Sequence, residues 1–94
     1  AGAAYATSKA ALAALTREMA FDFGRQGVRV NAIAPGEIDT SILSPGTEEK
    51  NIPQIPLGRL GTPDEVARVI YALCAETASY VNGAEIHING GQHV

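Results

Sequence analysis

The chain has little cysteine, no excess of positive charge and no long apolar run, and each shortage excludes a class of protein. Its single cysteine, Cys74, cannot form an internal disulfide, which excludes a disulfide-stabilised scaffold and fits a reducing compartment. A net charge of −3 gives no basic surface for nucleic acid. The longest apolar stretch is broken by Thr16, Arg17 and Glu18, well short of a membrane span. We therefore expect a soluble, cytoplasmic protein with no nucleic-acid and no membrane partner.

Residues 5–23 have the composition of a helix built from small and apolar side chains. The three-and-four spacing of one helical face is followed by Leu12, Leu15, Met19 and Phe23. The alanines between these residues widen the apolar surface, and such a helix is normally buried on more than one side. Gly24 and Gly27 provide a stop signal at its end.

Two short segments, residues 28–35 and residues 84–88, are predicted to be strands. Both contain β-branched residues, and each ends at a turn signal, Pro35-Gly36 for the first and Asn89-Gly90-Gly91 for the second. The first is apolar on both faces, as expected for a strand that helices cover on each side. The segment of residues 36–61 holds three of the chain's five prolines and is expected to be a long loop that contains one short helical turn.

A second helix is predicted to begin at Thr62. Thr62, Pro63 and Glu65 occupy the N-cap, first and third positions of a capping box. One apolar face is then marked by Val66, Val69, Ile70 and Leu73. We expect this helix to end at Ala75 to Thr77 and to connect the two strands as a parallel strand–helix–strand crossover.

These elements are too few for an independent parallel sheet. Both faces of such a sheet must be covered, and two helices with two strands do not achieve this. The first residue is Ala1 rather than methionine. Removal of an initiator methionine or a tag would explain this residue, and so would excision from a longer protein, which we expect.

Tyr5 and Lys9 stand one helical turn apart, a spacing that suits proton transfer. Residues four apart share a helix face, with their Cβ atoms about 5–6 Å apart. A free tyrosine hydroxyl has a pKa of about 10, and a nearby ammonium stabilises the phenolate and brings that pKa toward the working range. The pair would then transfer a proton to or from a substrate oxygen. On spacing alone, the pair is more simply explained as two ordinary surface side chains.

Three blocks of the sequence resemble the short-chain dehydrogenase/reductase family in order and spacing. They are "YATSKAALAALTREMAFDFGRQGVRVNAIAPGEIDT", "PLGRLGTPDEVARVIYAL" and "SYVNGAEIHINGG". The resemblance implies an α/β fold that is the C-terminal portion of a Rossmann-type doubly wound parallel sheet. Residues 1–94 would then be a C-terminal fragment of a single Rossmann-type domain.

The resemblance also implies hydride transfer between NAD or NADP and a small-molecule carbonyl or alcohol substrate. Tyr5 would be the general acid/base, and Lys9 would lower its pKa and hydrogen-bond the nicotinamide ribose. The implied cofactor-binding set is Tyr5, Lys9, Pro35, Gly36, Ile38 and Thr40. Gly36 would permit a close backbone approach. The family commonly forms dimers and tetramers, so a homo-oligomer is expected.

Other parts of the family's site are missing from these residues. The glycine-rich phosphate-binding turn, the catalytic serine and the catalytic asparagine all lie upstream in the family, and Ser8 is not given the serine's role. The cofactor site in this chain is therefore expected to be incomplete and the isolated fragment inactive. The alternative is a non-catalytic, self-associating fragment or interaction module.

The remaining candidates have simple interpretations. His87 and His93 lack a carboxylate or cysteine at ligand spacing, so no metal site is predicted. Cys74 is expected to be a core residue. The loop over residues 37–56 is expected to be a substrate lid in the longer enzyme, although its composition also describes a flexible linker. Its charges, Glu37 and Asp39, are expected to be solvated.

Overall fold

The computed structural model describes residues 2–40 and 51–92. In chain order its elements are α1 (Gly2–Gly24), β1 (Ala32–Pro35), a 3₁₀ turn (Ile52–Gln54), α2 (Pro63–Cys74), a second 3₁₀ turn (Glu76–Ala78) and β2 (Glu85–Ile88). The two strands form a parallel sheet in which Ala32 lies opposite Glu85 and Pro35 opposite Ile88. The predicted α/β class, the parallel pairing and the short helical turn in the loop are confirmed.

Helix α1 begins at Gly2, earlier than predicted, and ends at the predicted glycines. The amide of Val28 donates to the carbonyl of Phe23 at 3.2 Å, and the amide of Gly27 donates to the carbonyl of Gly24 at 3.0 Å. Gly27 has a φ of 79°, a conformation that favours glycine. This pattern is a Schellman motif, which satisfies carbonyl groups that the helix itself leaves without partners.

The packed face of α1 consists of small residues. Thr16 and Ala20 are buried, whereas Leu15 is 54% exposed. A Cβ atom built on Gly83 would lie only 3.3 Å from the Cβ of Ala20, so the helix backbone comes very close to the segment before β2. Only small side chains allow such an approach. Burial on more than one side, which the composition suggested, is therefore not observed among the described residues.

Strand β1 is shorter than the predicted segment of residues 28–35 because side chains replace part of the ladder. The side chain of Asn31 donates to the carbonyl of Val81 at 3.0 Å and accepts from the amide of Ala84 at 2.9 Å. In the opposite direction, Oδ1 of Asn82 accepts from the amide of Val30 at 2.9 Å. The two asparagines thus hold the chain segments together where regular pairing has not yet begun.

The capping box of α2 is confirmed. The Thr62 hydroxyl accepts from the amide of Glu65 at 3.1 Å, and the Glu65 carboxylate accepts from the amide of Thr62 at 3.0 Å. Arg59 donates two further hydrogen bonds to the same carboxylate, at 2.8 and 2.7 Å. The Arg59 hydrogen bonds, followed by the one from the Thr62 amide, lower the pKa of Glu65 from its ordinary 4.5 to about 2.

The helix that this box begins ends at Cys74, one residue before the predicted range. Cys74 is exposed, so the prediction that it is a core residue is wrong. Ile70, on the same side of the helix, is 43% exposed, since the described residues provide too little chain to cover this face. No helix within residues 2–40 and 51–92 combines the length and hydropathy needed to cross a membrane.

Candidate active site

The carboxyl ends of β1 and β2 are joined by a close backbone contact. The amide of Gly36, directly after β1, donates to the carbonyl of Ile88 at 2.9 Å. A Cβ atom built on Gly36 would lie 2.7 Å from the Cβ and 2.9 Å from the Cα of Asn89. Real Cβ contacts are not that short, so a side chain at position 36 would push the two strand ends apart. Asn89 thus occupies the side of Gly36 on which a side chain would project.

Tyr5 and Lys9 lie on one face of α1 and are both exposed. The Lys9 Nζ atom lies 5.5 Å from the centroid of the Tyr5 ring, within cation–π range. The Ser8 hydroxyl donates instead to the Tyr5 carbonyl at 2.8 Å, a bond within the helix. The spacing therefore does bring the phenol and the ammonium together, and the serine beside them has a local role.

A cleft of about 330 Å³ separates α1 from the carboxyl end of the sheet. Of the residues predicted from the sequence, Tyr5, Lys9, Pro35 and Gly36 line this cleft. Small side chains, among them Ala13 on α1, leave the space open. The helix thus places a hydroxyl and a cation opposite the turn that follows β1.

Ile38 and Thr40 do not line that cleft. Ile38 instead forms a parallel bridge with Gly61, and the amide of Asp39 donates to the carbonyl of Gly61 at 2.8 Å. Thr40 and Asp39 are exposed, whereas Glu37 is partly covered. The part of the loop after Thr40, up to residue 50, lies outside the described residues, so the predicted lid does too.

Strand β2 and the residue directly after it contribute three polar residues to the cleft that the sequence reasoning did not assign. Glu85, His87 and Asn89 line it from the same face of the strand. The Nε2 atom of His87 lies 3.2 Å from a carboxylate oxygen of Glu85. Alternation along the strand was the available signal, because residues two apart share a face. His93, the other histidine, lies outside the described residues.

The cleft lies at the carboxyl ends of two parallel strands joined through a helix, which is where α/β sheets of the Rossmann type bind ligands. The fold is of that class. The model of the family described as enoyl-(acyl carrier protein) reductase matches residues 1–93. This chain belongs to the short-chain dehydrogenase/reductase family.

Three comparisons illustrate how much of the family's length this chain represents. Protein FixR of Bradyrhizobium diazoefficiens is 66% identical over 94 residues, which are 100% of this chain and 34% of that protein. The 3-oxoacyl-(acyl-carrier-protein) reductase FabG of Aquifex aeolicus is 48% identical over 90 residues, 93% of this chain and 36% of that protein. A solved structure of a short chain dehydrogenase from Bacillus anthracis has a TM-score of 0.81 at 44% identity and covers 95% of this chain and 34% of its own. The chain spans about a third of the length of these relatives.

Proposed function

We propose that this chain is the C-terminal part of an NAD(P)-dependent oxidoreductase that interconverts a carbonyl and an alcohol. Tyr5 donates a proton to the substrate oxygen during reduction and accepts it during oxidation. The observation that supports this most is the placement of Tyr5 and Lys9 in one cleft with Pro35 and Gly36. Lys9 keeps a positive charge beside the phenol, where negative charge develops when the proton leaves.

The donors in the cleft fit the nicotinamide end of such a cofactor. The Tyr5 hydroxyl and the Lys9 ammonium can hydrogen-bond ribose hydroxyls, and Pro35 and Gly36 line the same cleft. We assign Ile38 and Thr40 a secondary place in cofactor binding, because they follow that turn directly but lie outside the cleft. When bound, NAD(P) supplies the hydride chemistry.

The substrate class follows from the same geometry and stays broad. A phenol that serves as a proton donor suits a small-molecule carbonyl, and the FabG relative is named for a 3-oxoacyl group on acyl carrier protein. We propose a carbonyl or alcohol substrate of this general kind. With one cysteine in the chain, a cytoplasmic location is also proposed.

The isolated 94 residues are proposed to be inactive, because they span about a third of the length of their relatives. A specific observation supports self-association as a second property of this piece. Leu12 and Leu15 lie three residues apart on one face of α1 and are 47% and 54% exposed, an apolar surface that favours association. The same face would serve a homo-oligomer of the longer protein.

The proton-transfer role can be tested with Tyr5→Phe in the full-length protein that contains this chain. We expect turnover to fall by about a hundredfold or more, with NADH or NADPH binding retained, since only the hydroxyl is removed. The matched control is Tyr71→Phe, because Tyr71 is 77% exposed on α2 and should tolerate the same change. Turnover of Tyr5→Phe at the level of the control would contradict the proposal.

A further inference from the structure

Helix α1 carries the proposed reacting residues at one end and is attached to the rest of the chain near the other. Its first two turns, which include Tyr5 and Lys9, are exposed, whereas Thr16 and Ala20 are buried. Tyr5 is about 22 Å from Ala20 along the helix axis, from a rise of about 1.5 Å per residue. A tilt of about 10° at Ala20 would therefore move Tyr5 by about 4 Å.

Near Ala20, a side-chain hydrogen bond and a close contact attach α1 to the segment before β2. The Nδ2 atom of Asn82 donates to the carbonyl of Ala20 at 3.0 Å. Among residues 2–40 and 51–92, this is the one side-chain hydrogen bond that joins α1 to a distant part of the chain. Gly83, the next residue, provides the close contact with Ala20.

Asn82 uses its other amide atom to fix the sheet. Its Oδ1 atom accepts from the amide of Val30 at 2.9 Å, just before β1. One rigid, planar side chain thus bonds α1 on one side and the segment leading into β1 on the other. β1 ends at Pro35, which lines the cleft opposite α1. The Asn82 amide therefore links the helix that carries Tyr5 to the segment leading into the strand on the other side of the cleft.

We infer that Asn82 is a positioning residue for the Tyr5–Lys9 pair. It sets the angle between α1 and the sheet, and so the distance of both side chains from the turn at Pro35 and Gly36. This inference rests on the proposed function of the pair. Small displacements matter because a misplacement of about 1 Å can lower a rate by about a hundredfold.

The chain offers a closely matched control in Asn31. Its side chain also joins the segment before β1 to the segment before β2. It donates to the carbonyl of Val81 at 3.0 Å and accepts from the amide of Ala84 at 2.9 Å. Neither partner belongs to α1. Asn82→Asp and Asn31→Asp each keep the accepting oxygen, remove one donated bond to a backbone carbonyl and add one negative charge. They differ in whether the lost bond held α1.

The experiment measures the position of α1 and the activity in the same variants of the full-length protein. One spin label is placed on Arg68→Cys, at a charged and exposed position of α2, and one on Ala3→Cys at the start of α1, with Cys74 changed to alanine and cysteines outside this chain changed to serine. Double electron–electron resonance then gives the distance between the labels. Steady-state assays give kcat and KM, and thermal melts report the stability of each variant.

We expect Asn82→Asp to shift or broaden the label distance by about 3 Å or more and to lower kcat/KM by about a hundredfold. Asn31→Asp should lose similar thermal stability while keeping the wild-type distance and kcat/KM. Equal label distances in the two variants would overturn the inference, and so would a shifted distance in Asn82→Asp with wild-type turnover. If the wild-type protein shows no turnover, the proposed function fails, and the distance still decides whether Asn82 places the helix.

A second variant covers the case in which Asn82→Asp does not fold. A Cβ atom built on Gly24 would lie 3.2 Å from the Nδ2 atom of Asn82, so Gly24→Ala crowds the same bond from the helix side. Alanine also raises helix propensity, which protects folding. For Gly24→Ala we expect a smaller shift of the label distance, in the same direction as for Asn82→Asp. A wild-type label distance in Gly24→Ala would count against the inference.

Discussion

The two helices of this chain are held in place by different kinds of contact. Helix α2 has a capping box at Thr62, two acidic residues in its first turn and an arginine that bonds the capping glutamate. Helix α1 has no acidic residue in its first turn and no basic residue in its last. It is instead placed by Ala20 against Gly83 and by Asn82 from the other end of the sequence.

This difference matches the proposed function, in which the reacting residues Tyr5 and Lys9 both lie on α1. The helix with the proposed chemistry depends on contacts from 62 positions away, and the helix with the strongest local signals carries none of that chemistry. A helix placed by long-range contacts can be oriented relative to a sheet, which is what a proton donor requires.

The largest expected loss of stability comes from Gly83→Ala. Gly83 has a φ of 79°, and the new Cβ would lie 3.3 Å from the Cβ of Ala20, on a helix backbone that cannot yield without moving α1. We expect a decrease of about 2–3 kcal/mol in the free energy of unfolding, measured by denaturant titration.

The control for Gly83→Ala is Gly58→Ala. Gly58 has a φ of 75°, and a Cβ built there meets nothing within 4 Å. In Gly58→Ala the free energy of unfolding should fall only by the cost of a positive φ for a residue with a side chain, about 1–2 kcal/mol. Equal losses in the two variants would mean that the close approach of α1 contributes nothing, and the contrast between the helices would fail.

A smaller and local effect is expected for Thr62→Ala. It removes the hydroxyl that accepts from the amide of Glu65, at a cost of about 1 kcal/mol. Hydrogen exchange should become faster in the first turn of α2 and stay unchanged in α1. Thr77→Ala, at an exposed position outside α2, should change the stability by less than about 0.5 kcal/mol. Faster exchange throughout α1 would contradict the independence of the two helices.

The smallest expected effect is a loss of stability at the start of α2 when the pH is lowered. Because the pKa of Glu65 is lowered in the folded chain to about 2, its bonds stabilise α2 fully above the ordinary value of 4.5. That contribution is lost as the pH falls from 4.5 to about 2. A carboxyl NMR titration should find the low pKa in the wild type and a value nearer 4.5 in Arg59→Ala, since Arg59 is its main cause. An unchanged midpoint in Arg59→Ala would contradict this origin.

The same contrast explains what could be predicted from the sequence. The capping box at Thr62 and the Gly27 stop signal use neighbours in the chain, so the spacing of residues sufficed. The parallel pairing followed from the order of the elements. The packed face of α1 could not be predicted, because it depends on Gly83, a residue without a side chain that is distant in sequence.

The candidate site was predictable to a similar degree. The spacing of Tyr5 and Lys9 brought them to one face, and Pro35 and Gly36 were found at the same cleft. The polar face of β2, with Glu85 and His87, was not assigned because alternation in a strand of four residues is a weak signal. Cys74 was misplaced because its helix face lacks a cover among the described residues.

The central claim is that Tyr5 and Lys9 act as one acid–base unit, and a double-mutant cycle on turnover tests it most directly. The variants are Tyr5→Phe, Lys9→Met and the combination, assayed in the full-length protein with saturating NADH or NADPH. Residues that act as a unit show strongly non-additive losses. We predict that the double variant loses about as much kcat as Tyr5→Phe alone. Losses that multiply, or a Tyr5→Phe variant with wild-type kcat, would contradict the account.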